Sequence, residues 1–111
     1  MTPTHKRDLL PGTLDMLVLK TLTVQPMHGY GIAQYLQGIS GAVIRVEEGS
    51  LYPALQRMRQ KGWIKAEWRQ TPNNQRARYN TITTAGRRQL GAQESSFGEL
   101  VAAIFRVMNP A

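Results

Sequence analysis

The sequence predicts a mainly α fold that carries one small β-hairpin, an α+β arrangement, and three observations lead there. The first is a helical stripe: Leu51, Ala54, Leu55 and Met58 recur at i, i+3, i+4 and i+7 and so share one face. The second is a pair of alternating segments, with Ile64, Ala66 and Trp68 against Lys65, Glu67 and Arg69, then Ala77, Tyr79 and Thr81 against Arg78, Asn80 and Ile82. Between them Thr71-Pro72-Asn73-Asn74-Gln75-Arg76 is polar and rich in turn formers, so the two segments read as a hairpin. The third is a long apolar run near heptad spacing, Leu90, Phe97, Leu100, Val101, Ile104, Phe105 and Met108. At 111 residues the chain suits one domain with a modest core.

The elements follow in order. Leu10, Leu14, Leu17 and Val18, extended by Thr21 and Leu22, keep a helical period after Pro11, and Pro26 closes this first helix. Leu9, Met16 and Leu19 widen its apolar surface, as a helix does when a second face meets another subunit; a simply buried helix is the other reading. His28-Gly29-Tyr30-Gly31 is a turn into a short second helix bearing Ile32, Ala33, Tyr35 and Leu36, which Gly38 and Ser40-Gly41 end. Ala42-Val43-Ile44-Arg45-Val46 is β-branched and reads as a short strand or an extended loop. Ser50 is the expected N-cap of the third helix, which puts Pro53 at its third helical position, where no intrahelical donor is needed. Thr83 or Thr84 caps the last helix.

Fourteen Lys and Arg against seven Asp and Glu give a net charge of +7, which favours a polyanionic partner. Between positions 57 and 88 Arg57, Arg59, Lys61, Lys65, Arg69, Arg76, Arg78, Arg87 and Arg88 face a single acid, Glu67. There is no apolar run long enough for a membrane span and no apolar signal core before Pro11, so a cytoplasmic protein without a membrane partner is expected. Cysteine is absent, His5 and His28 are the only histidines, and no carboxylate cluster forms a metal shell; neither a metal nor a cofactor is expected. The Glu47-Glu48 pair does not provide opposed acid and base roles, Gly29 and Gly31 lack the Lys and Ser/Thr of a phosphate loop, and an enzyme is not expected.

Helix, helix, short strand, helix, hairpin and helix is the order of a winged helix-turn-helix with a C-terminal dimerisation helix. Residues 1–84 would hold the DNA-binding domain and 85–111 the dimerisation helix. The chain also resembles PadR-type transcriptional regulators, through Leu10-Pro11-Gly12-Thr13-Leu14, His28-Gly29-Tyr30, Gly49-Ser50-Leu51-Tyr52-Pro53-Ala54-Leu55, Gly62-Trp63-Ile64, Arg78-Tyr79 and Thr83-Thr84-Ala85-Gly86. These six motifs stand in the family's order across most of positions 9 to 90, and the short tail is similar to the family's form with one C-terminal helix. Gly31 departs from the pattern by replacing an acidic residue, and Asn80 by replacing a second aromatic. The resemblance implies a homodimeric repressor of its own or a neighbouring operon, released from operator DNA by a small apolar or aromatic effector.

Candidate DNA contacts come from the third helix and the hairpin. Gln56 and Arg59 have the chemistry to read adenine and guanine edges in a major groove. Tyr52 and Ser50 suit phosphate positioning, with Tyr52 as a core-edge ring the alternative; Arg57 points to another side, toward flanking phosphate. Arg76 and Arg78 are the wing's candidates, while Asn73, Asn74 and Gln75 are assisting contacts or a solvated tip. Trp63 and Trp68 fall in the inward rhythm of the wing and read as structural. Dimerisation is assigned to Leu14, Leu17, Val18, Phe97, Leu100, Val101, Ile104 and Phe105, which form a packed dimer core or line an interfacial pocket. Rival readings are a winged-helix protein-interaction module using the basic surface for an acidic partner, and a ligand sensor with only secondary DNA binding.

Overall fold

In the computed structural model, which describes residues 12–110, the elements are α1 (Thr13–Leu22), α2 (Gly29–Ile39), α3 (Glu48–Gln60), β1 (Ile64–Gln70), β2 (Arg76–Ile82) and α4 (Thr84–Met108). The expected helix start at Leu10 and Pro11, together with Leu9 and His5, lies outside the described residues. Every element contributes to one core, centred on Val18, Leu19, Ile32, Leu51, Leu55, Met58 and Ile64. The predicted stripe of α3 is the buried one, all four residues inside.

In α1 the core face is Asp15, Val18, Leu19 and Leu22, at the same helical spacing. Two expectations change with it. Leu19 is core rather than surface, and Val18, at 0 % exposure, is enclosed by its own chain and cannot serve a dimer interface. Leu14 and Leu17 remain partly exposed at the rim. The core face departs from the apolar spacing because it includes a carboxylate: Asp15 is buried where Arg57 of α3 donates a charged hydrogen bond to its Oδ1.

Helix α1 stops at Leu22, well before Pro26. His28 caps α2, its Nδ1 accepting from Gly31 N–H at 3.0 Å. After Ile39 the chain turns through Gly41 and Ala42, both with positive φ, and bends at Val43, so 42–46 contains no strand and only 44–46 runs on as loop. The cap of α3 is Glu47 instead of Ser50, because Ser50 N–H and Leu51 N–H both already bond Glu47 C=O at 3.0 and 2.9 Å. Pro53 consequently lies inside the helix, where its missing N–H leaves the exposed Gly49 carbonyl to solvent. Gly62, with φ of 76°, ends α3, and Trp63 N–H returns to Met58 C=O at 3.0 Å.

The strands pair antiparallel from Ile64↔Ile82 to Gln70↔Arg76, and Met27 adds an isolated bridge to Asn80 on the other side of β2. Cross-strand partners share a face, so Ile64, Ala66, Trp68, Ile82, Asn80 and Arg78 form the side toward the helices. Trp68 keeps that rhythm but is 58 % exposed, against the expectation of an inward structural ring. The core simply ends below it: Ile64 is buried and Ala66 half-buried, and the outer part of the hairpin projects past α2 and α3. Thr83 caps α4 as expected, accepting from Gly86 N–H at 3.0 Å. Beyond Leu90 no described residue of α4 is buried.

Candidate nucleic-acid interface

Between the start of α2, one flank of α3 and the wing runs an open groove of about 860 Å³. Tyr52 and Arg59 come to it from α3, Arg76 and Arg78 from β2, and Tyr30 and Gln34 from α2, with Trp68 opposite. Three arginines line it, and among the described residues no Asp or Glu does. Three of the described acids are paired elsewhere: Asp15 with Arg57, Glu67 with Arg69 at 2.7 Å, and Glu94 with Lys20 at 3.7 Å. The groove therefore presents concentrated, uncompensated positive charge, the electrostatic form of a phosphate-backbone site.

Arg76 and Arg59 are held by their neighbours. Arg76 lies over the Trp68 ring, 5.2 Å from its centroid, which steadies an otherwise free side chain on the exposed hairpin. The tip itself is ordered by Asn74 N–H bonding Thr71 C=O at 2.9 Å, with Asn74 in the left-handed region and its carboxamide bonded to Gln70 at 2.6 Å. Arg59 is half-buried and donates from Nη1 to Asn80 Oδ1 at 3.0 Å. Burial, and next the charge of Arg78, hold the pKa of Arg59 below the ordinary guanidinium value.

Tyr52 is 46 % exposed, so the core-edge reading does not describe it. Its ring lies against Gly29, where an added Cβ would come within 2.7 Å of Cε1. Gly29→Ala should push this exposed ring aside without unfolding the chain and, if Tyr52 contacts DNA, lower affinity for it by about 1 kcal/mol, the worth of one hydrogen bond. Titration of operator DNA checks this, and an affinity equal to that of the unaltered chain would mean that Tyr52 makes no contact.

The remaining expected residues separate from this cluster. Gln56 and Ser50 are exposed on α3 but outside the groove, Gln56 on the outermost ridge with Gly49 and Pro53. Arg57 is engaged by Asp15 on the α1 side, and the phosphate role expected of it gives way to a structural one. Sequence reasoning missed Asn80, Tyr30 and Gln34: no local pattern announces the contact of Asn80 with Arg59 across β2 and α3, while Gln34 bonds Tyr30 within α2. Among the described residues no group of His, Asp and Glu gathers as a metal site, and no helix is long and apolar enough to cross a membrane.

A second, smaller cleft of about 410 Å³ lies between the start of α1 and α4, lined by Met16, Gln93, Ser96, Phe97 and Leu100 among others. Gln93 Oε1 is buried there and accepts no hydrogen bond from the described residues. Next to it Phe97, Leu100, Ile104 and Phe105 of α4 are exposed, and Val101 is half-buried.

Residues 18–92 match the profile of the transcriptional regulator PadR-like family. Among solved structures, a PadR family transcriptional regulator from Eggerthella lenta is 28 % identical, with a TM-score of 0.76 over 90 % of this chain and 85 % of that one. A PadR family transcription regulator from Clostridium difficile is 25 % identical, with a TM-score of 0.70 over 87 % of this chain and 98 % of its own. Uncharacterized protein X of Lysinibacillus sphaericus is 24 % identical over 86 % of this chain and 87 % of that protein.

Proposed function

Because this chain belongs to the PadR-like family of transcriptional regulators, a family of DNA-binding regulators and not of enzymes, we propose that it is a homodimeric, sequence-specific repressor acting on double-stranded operator DNA in the cytoplasm. The observation that carries the reading is the acid-free groove in which Tyr52 and Arg59 of α3 meet Arg76 and Arg78 of the wing. In this reading residues 1–84 bind DNA, with Gln56 reading a base edge from the outer ridge of α3 and Ser50 and Tyr52 contacting phosphate. The wing arginines follow the backbone beside it.

Residues 85–111 and the rim of α1 form the dimer interface, through Leu14, Leu17, Phe97, Leu100, Val101, Ile104 and Phe105; the exposed apolar face of α4 supports this. The mainly apolar cleft beside Gln93 and Phe97 supports a small apolar or aromatic effector.

The test is titration of the intact chain with DNA from upstream of its own gene and with random duplex. A repressor binds the former about 10³-fold or more tightly; equal weak binding to both would leave only a basic interaction surface. The wing has its own check. Arg76→Ala should lower affinity for both duplexes and reduce the slope of log affinity against log salt by about 1, the loss of one phosphate contact. An unchanged slope would place Arg76 outside the interface.

A further inference from the structure

We propose that Asn80 is a positioning residue for DNA binding, which fixes Arg59 beside Arg78 as one phosphate-receiving pair and so assigns Arg59 to the DNA backbone instead of a base. The inference rests on the DNA-binding reading above.

Asn80 is 1 % exposed, and each of its polar atoms has a hydrogen-bond partner. Its main chain exchanges both hydrogen bonds with Met27, at 2.9 and 3.2 Å, and its Nδ2 donates to the same Met27 carbonyl at 3.1 Å. Only Oδ1 remains, and it accepts from Arg59 Nη1 at 3.0 Å. Turning the amide over would place its NH₂ against a guanidinium and its oxygen against a carbonyl, so both contacts oppose the flip. The bracket thus ties the entry to α2, the middle of β2 and the last turn of α3 to one another.

What the bracket holds is a cation in an unfavourable place. Arg59 is half-buried and senses the charge of Arg78, and no carboxylate lines the groove. An arriving phosphate relieves both penalties, and the donors of Arg59 that Asn80 does not use keep the planar fork suited to phosphate oxygens. Base reading by Arg59 would require release from Asn80 and reach past the ridge that carries Gln56. Asn80 itself, buried beneath the groove, touches no DNA and acts through Arg59.

Fluorescence anisotropy of the intact chain with operator and random duplex, across a range of salt, tests this on Arg59→Ala, Asn80→Ala and the double variant. Arg59→Ala is expected to weaken both duplexes by a similar factor, and to lower the salt slope by about 1. Asn80→Ala should follow in the same direction, and the double variant should bind no more weakly than Arg59→Ala alone. Multiplying losses, or an Arg59→Ala that spares random DNA and the salt slope while losing the operator, would overturn the proposal. If Asn80→Ala does not fold, Arg59→Lys decides: it keeps the charge but not the fork, so it should retain the slope and bind several-fold more weakly. A lysine variant binding as well as the unaltered chain would overturn the positioning role. Absence of binding to any duplex by the unaltered chain would overturn both this proposal and the functional reading, whereas normal binding with multiplying losses removes only the former.

Discussion

Leu100→Asp combined with Ile104→Asp is expected to leave the chain monomeric and to lower operator affinity by about two to four orders of magnitude, the range that linking two binding modules contributes. Both side chains lie on one face of α4, and within a single chain they are 47 and 45 % exposed, so the core that closes the winged domain does not depend on them. In the proposed dimer they would be enclosed, and two carboxylates taken from water without partners oppose association. Random DNA should lose much less, because a lone groove keeps its arginines and has no second half-site to forfeit. Half-sites about one DNA turn, 34 Å, apart are what a two-fold pair of α3 helices would span. Light scattering and operator titration measure the two effects together. A variant that stays dimeric and binds normally would remove α4 from assembly.

Features that depend on local chemistry were legible in the sequence. The apolar stripe of α3, the alternation of β1, and the hydroxyl of Thr83 three residues before the Gly86 amide all act within a few residues, and the structure contains each of them. Errors arose where a distant partner decides. Asp15 looks like a solvent residue until Arg57 reaches it from α3, and with it buried the core face of α1 turns to take in Leu19 beside Val18. Asn80 is a polar residue whose burial depends on distant partners, Met27 and Arg59, which satisfy its amide. Trp68 looks inward by period, but periodicity gives the side of a strand and not how far the core extends beneath it. Within the candidate interface the sequence identified the residue types that meet in the groove, Tyr52, Arg59, Arg76 and Arg78, while the burial that separates a positioned cation from a free one is tertiary. Ser50 failed as a cap for a smaller reason: Glu47 is already extended and begins the helical bonding three residues earlier.

Gly86→Ala is expected to destabilise the chain by about 3 kcal/mol or more, the upper part of the cost of forcing atoms into filled space. A Cβ there would stand 2.1 Å from the Trp63 carbonyl oxygen and 2.8 Å from Ile82 Cγ1. The first neighbour is backbone and cannot turn away. That carbonyl is also bonded by Thr83 N–H at 3.0 Å, while the Thr83 hydroxyl lies 2.6 Å from the Gly62 carbonyl. Start of wing, end of wing and first turn of α4 are therefore locked at one point, and a methyl group separates them only by displacing strand β1 or helix α4. Against a typical stability of about 5–15 kcal/mol for a small domain, the loss should lower Tm by roughly 10 to 20 °C. Thr83→Val offers the contrast, since it removes the cap and the hydroxyl bond without adding volume at Gly86, and should cost about 1 kcal/mol. Because α4 leaves the winged domain at this junction, whatever survives folding in Gly86→Ala should also show weakened operator binding, the angle between the groove and the proposed dimer helix having changed. Thermal unfolding by circular dichroism and operator titration of both variants form the test. If Gly86→Ala melts with or above Thr83→Val, the junction tolerates the methyl group and does not set the position of α4 on the wing.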